Sequence, residues 1–143
     1  MKKKIIAMIS GAMLLTIAAG SIYGKSVSSH TESEPDVVGT FCMNRDEHLT
    51  VVANRENIDD REAFARELLH MYKDDSFHST KFSTDRGYAT SLDMNIYLWK
   101  EDIEDGESVM TAEYRPVEYG KDYDVVNNPD KFELYIDGKE VKE

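Results

Sequence analysis

Cys42 is the only cysteine among 143 residues, so an intramolecular disulfide is excluded and stability has to come from packing alone. Cys42 sits in the apolar run Val37–Met43 and reads as a small buried hydrophobe, with disulfide-linked dimerisation as the alternative. Positive charge is scarce: 17 Lys and Arg stand against 28 Asp and Glu, for a net charge of −11. An excess of that sign repels phosphate backbones and anionic headgroups, so nucleic acid is not expected as a partner. With only eight glycines, the chain has no glycine-rich phosphate cradle, and neither a Gly-x-Ser-x-Gly elbow nor a Ser-x-x-Lys pair occurs. No catalytic residue is therefore assigned from the sequence.

Metal chemistry fails on spacing. Aligning Gly106 in Glu101–Glu107 with the glycine of an EF-hand loop puts Ile103 and Ala112 where oxygen ligands are required. Of the four histidines, His30, His48, His70 and His78, only His70 falls within the helix predicted below, where it shares spacing with one carboxylate, Glu67, and one such pair is half of a carboxylate-bridged site. No metal ligand and no cofactor are expected.

What is present begins with Lys2, Lys3 and Lys4 ahead of an uncharged apolar stretch, Ile5 to about Ala19, closed by Ala18, Ala19, Gly20 and Ser21. A basic segment, an apolar run and small residues at the −3 and −1 positions are the pattern of a secretory signal, read as residues 1–20. The uncharged stretch to Ile22 also reaches the lower limit of a bilayer span, so an uncleaved anchor is the alternative. The expected location is secreted or at the cell surface, with membrane contact only through residues 5–22. Removing residues 1–20 takes away three lysines and no acid, which leaves −14. Residues 21–36, rich in Ser, Thr and Glu and without apolar period, read as a flexible spacer. Residues 37–143 are expected to form a single domain.

Within that domain, extended segments are predicted at Val37–Met43 and Leu49–Ala53, with Asn44–His48 as the turn between them. The spacing of Phe64, Leu68, Met71 and Tyr72 predicts an amphipathic helix from about Asp60 to Lys73, capped by Asp59 with Glu62. Alternation then predicts strands at Phe77–Thr84 and Leu92–Trp99, turning at Asp85–Gly87. Further strands are expected at Val109–Arg115 and Phe132–Ile136, and Asp137–Gly138 marks a hairpin returning through Lys139–Val141. The expected class is α+β, one amphipathic helix packed on an antiparallel meander of about four to six strands. The order strand, helix, meander resembles the cystatin-type wrapped sheet in topology alone. The Gln-x-Val-x-Gly loop of that family is absent, so protease inhibition is not carried over.

Tyr97 and Trp99 alternate with Leu92, Met94, Ile96 and Leu98 and so are expected on the sheet face away from the helix. Trp and Tyr are enriched where partners bind, which makes these two the candidate contact residues. The alternative is that the 117–130 segment covers them with Tyr119 and Tyr123. The functional expectation is an exported non-enzymatic binding or interaction module for a protein or small ligand. The alternatives are an extracytoplasmic enzyme or cation-dependent protein with a dispersed site, and a membrane-tethered accessory domain.

Overall fold

The computed structural model describes residues 30–142, so the expected signal at 1–20 lies outside the described residues. Glu32–Glu143 form one compact unit. It contains β1 (Asp36–Met43), β2 (Asp46–Val52), helix α1 (Arg61–Asp74), β3 (Ser91–Tyr97), a single helical turn α2 (Asp102–Asp105), β4 (Met110–Pro116), β5 (Phe132–Ile136) and β6 (Lys139–Glu140). The strands form one sheet in the order β1-β2-β3-β4-β5-β6. This is the α+β arrangement expected, one long helix against six mostly antiparallel strands.

The pair β2–β3 is parallel and departs from a meander. Helix α1, 14 residues long, spans about 21 Å at 1.5 Å per residue. The seven residues of β2 cover about 23 Å. One pass of α1 thus returns the chain to the end where β2 began, and the next strand has to run in the same direction as β2. The expected strand at Phe77–Thr84 does not form, because the helix has already made the return. Its alternation has another origin. Phe77 is fully buried and Phe82 packs on the core. Between them, Ser79 donates from its N–H to Asp36 Oδ1 at 3.0 Å and from its hydroxyl to Oδ2, and the Thr80 hydroxyl donates to Val37 O at 2.7 Å.

Helix α1 starts at Asp60, one residue after the expected cap, with Asp60 Oδ1 accepting from Ala63 N at 2.9 Å. It ends at Asp75, whose left-handed conformation (φ 51°) lets its N–H donate to the carbonyls of Met71 and Tyr72. Phe64, Ala65, Leu68, Leu69 and Tyr72 bury one side of it. They meet Leu49 and Val51 of β2, Leu92, Met94 and Ile96 of β3, Met110 and Ala112 of β4, and Phe132 and Leu134 of β5 in one apolar cluster. The β1–β2 turn is tighter than expected, Asn44 with φ 59° followed by Arg45, so Asp46, Glu47 and His48 belong to β2. Ahead of β1, Ser33 donates to Asn54 O at 3.0 Å and Asn54 Nδ2 donates to Glu34 O at 2.9 Å, which ties this segment to the end of β2.

Candidate functional site: the outer face of the sheet

Because side chains alternate along a strand, burying Leu49 and Val51 against α1 sends Asp46, His48 and Thr50 to the other face. The same rule sends Asp93, Asn95 and Tyr97 of β3 outward, with Thr111, Glu113 and Arg115 of β4 and Glu133 and Tyr135 of β5. Register then aligns them. Phe41, His48, Asp93, Glu113, Tyr135 and Glu140 are successive cross-strand partners, so one row crosses all six strands. With strands about 4.8 Å apart, it is roughly 24 Å long. A second row joins Gly39, Thr50, Asn95 and Thr111.

Side-chain contacts join the first row at its β1–β3 end and brace it at β4 and β5. The rings of Phe41 and His48 lie 5.1 Å apart. His48 Nδ1 is 3.2 Å from Asp93 Oδ2, and both side chains are nearly half exposed. Arg115 pairs with Glu113 and stacks its guanidinium 4.5 Å above the Tyr135 ring. The Tyr135 hydroxyl donates to Glu133 Oε2 at 3.0 Å, which holds its proton and pushes its pKa up. Ion pairs this exposed contribute at most about 1 kcal/mol each. Their effect is to fix the orientation of a polar, aromatic surface. At its β1 margin, Phe41 and Met43 are 57% and 58% exposed.

The two aromatic residues singled out from the sequence are placed differently. Tyr97 is half-buried on this face and pairs with Val52. Trp99 lies past the end of β3 and is only 9% exposed. Its backbone N–H donates to the Asp102 carboxylate at 3.1 Å and its carbonyl accepts from Asp102 N at 3.1 Å, so it anchors the turn into α2. Of the 117–130 segment, whose covering of this face was the alternative, Val125 is in the core, Tyr123 packs against it and Tyr119 is 72% exposed.

The other sequence candidates separate in space. His70 pairs with Asp74 Oδ2 at 3.0 Å, while Glu67 faces Arg55 at 3.7 Å. In Glu101–Glu107 the Asp102 carboxylate is taken up by the Trp99 amide. No group of three or more His, Cys, Asp or Glu among the described residues could hold a metal ion. No helix among them is long and apolar enough to cross a membrane. No protein-family model matches the chain, and no curated protein or solved structure matches it.

Proposed function

We propose that the protein is an exported, non-enzymatic interaction module that binds a protein partner through the outer face of its sheet. The observation that carries this reading is the register-aligned row from Phe41 to Glu140, which runs across every strand on the face that α1 leaves open. Export rests on the three lysines, apolar run and small residues of the N-terminus. The partner chemistry follows from charge. Asp46, Asp93, Glu113 and Glu133 outnumber Arg115 on this face, in a chain of net charge −11. The complementary surface carries lysine and arginine around an apolar anchor, with Phe41 and Met43 as the apolar edge on this side. Tyr97, half-buried on this face, contributes at its opposite end.

The test has two arms. N-terminal sequencing of the protein exported by its native host identifies a chain that starts after residue 20. Affinity capture from exported and surface proteins is then run with the wild type and with Phe41→Ser, Asp93→Lys and Tyr97→Ala. A partner bound by the wild type, released by added salt and lost with Asp93→Lys supports the reading. A partner retained by all three variants removes the outer face as the contact surface.

A further inference from the structure

On the opposite side of the sheet from that face, the loop Thr80–Ala89 leans over the ends of β1 and β2 and encloses a cleft of about 320 Å³. Its walls carry Cys42, Glu47, Lys81, Phe82, Arg86 and Ala89. Glu47 shares strand parity with the core residues Leu49 and Val51, so its carboxylate is directed toward the apolar layer. Partial burial pushes its pKa up, opposed in part by the nearby His48. Burial of the Tyr72 phenol beneath, and then the charge of Glu47, hold the Tyr72 proton on far above the usual range. The Tyr72 and Phe82 rings are 4.7 Å apart.

The cations around the cleft are not equivalent. Arg45 is a strut: Nε donates to Tyr88 O at 3.0 Å and the guanidinium pairs with Asp122 Oδ1 at 2.8 Å. It also lies flat against Gly87, where a Cβ would come within 3.2 Å of it. Lys81 Nζ donates to Asp75 O at 2.7 Å. The Arg86 side chain is exposed and, like that of Glu47, makes no hydrogen bond or ion pair within 4.0 Å among the described residues. The cleft therefore holds one uncommitted carboxylate and one uncommitted guanidinium that do not neutralise each other, although Cys42 lies in the field of both. A partly desolvated charge without a partner costs free energy that a bound counter-charge recovers.

We propose that this cleft binds a small zwitterion, a free α-amino acid with an apolar side chain, its ammonium on Glu47, its carboxylate on Arg86 and its side chain over Phe82 and Ala89. A volume of about 320 Å³ lies at the lower end of small-molecule sites and suits one amino acid. The site is independent of the outer face, which lies across the sheet.

The experiment titrates the full chain with L-phenylalanine, 3-phenylpropionate and phenethylamine, following the backbone amide resonances of Cys42, Glu47 and Lys81–Gly87 by NMR. Saturable shifts confined to these residues with L-phenylalanine are expected. Each charge-assisted contact should make it roughly tenfold tighter than the analogue lacking one charge. Glu47→Gln should abolish the preference over 3-phenylpropionate and leave that analogue's binding unchanged. Arg86→Met, at an exposed position, should abolish the preference over phenethylamine. Absence of saturation with L-phenylalanine up to about 10 mM overturns the proposal, since weaker binding falls below any specific contact. So do equal affinities for the three probes, or shifts spread over the outer face.

Discussion

Replacing Leu68 with alanine tests the architecture at its centre. Leu68 is fully buried in the middle of α1 and belongs to the cluster that joins the helix to the sheet. The substitution removes three carbons, worth about 2.4 kcal/mol at 0.8 per methylene. A cavity adds to this wherever the surroundings cannot close. Here both layers resist collapse: α1 is held at its ends by Asp60 and Asp75, and the facing strands β2, β3 and β4 are paired on both edges. The expected loss is therefore about 3–4 kcal/mol, inside the range of about 2–5 measured for buried leucines. For a unit of this size, that lowers the thermal midpoint by roughly 10–15 °C. In urea the midpoint should fall with an unchanged slope, because the surface exposed on unfolding is the same. His70→Ala is the control, on the solvent side of the same helix with 78% of its side chain exposed; it should move stability by no more than about 0.5 kcal/mol. Equal shifts for the two variants, or a Leu68→Ala midpoint matching the wild type, would refute the packing of α1 on the sheet.

Partial burial raises the Asp36 pKa, but the hydrogen bonds from Ser79 and Val37 outweigh it and hold the pKa below its ordinary 3.8. The stability Asp36 contributes is then present above about pH 4 and lost as pH falls through the folded value, so Asp36→Asn should destabilise at neutral pH and flatten the acid limb of a midpoint-versus-pH curve. Glu47 has the opposite sign: its pKa is raised above 4.5, and its contribution, full below that value, is lost as pH rises through the folded one. Glu47→Gln should therefore raise the thermal midpoint at about pH 7 with a gain that vanishes near pH 4, and a loss at neutral pH would contradict the desolvation account. Trp99, the only tryptophan, should emit as a shielded indole and resist acrylamide, with Trp99→Ala costing about 3–5 kcal/mol; efficient quenching would place it in solvent. Saturating calcium stabilises a protein with a real site by about 2.7 kcal/mol at a hundred times Kd, and here neither calcium nor EDTA should shift the midpoint measurably.

Periodicity made the faces of the long elements legible. Leu92, Met94 and Ile96 alternate to one side, and Phe64, Leu68 and Tyr72 recur on one side of the helix, because burial of one face is what selects those patterns. The Asp137–Gly138 turn was equally readable, since both residues take positive φ (50° and 81°) and the pair is suited to that geometry. Strand direction was not, because a face pattern is the same whichever way a strand runs. The parallel β2–β3 pair follows from matching the length of α1 to that of β2, a relation between elements. Phe77–Thr84 misled for a related reason: Phe77 entering the core, Phe82 packing against it and two hydroxyls bonding to Asp36 and Val37 imitate a strand pattern without a partner strand. Trp99 was misplaced because the alternation that carries Tyr97 outward stops with β3.

The sites were less legible than the fold because register assembles them. His48 and Asp93 are 45 positions apart, and no spacing within either strand announces their contact. Reading Asn44–His48 as a turn hid a stronger signal. Once β2 is extended back to Asp46, Glu47 falls at the same parity as Leu49 and Val51, a carboxylate in line with two core residues. A charged side chain at an apolar-parity position near a strand end costs desolvation. It persists where the sheet opens into a cleft and something can answer its charge. The loop that forms that cleft is the segment misread as a strand, so the error in the fold and the omission of the site have one cause. Residues 77–90 are specified by what their side chains reach, Asp36, Val37 and the space above Glu47, and that information lies in the three-dimensional arrangement of β1 and β2.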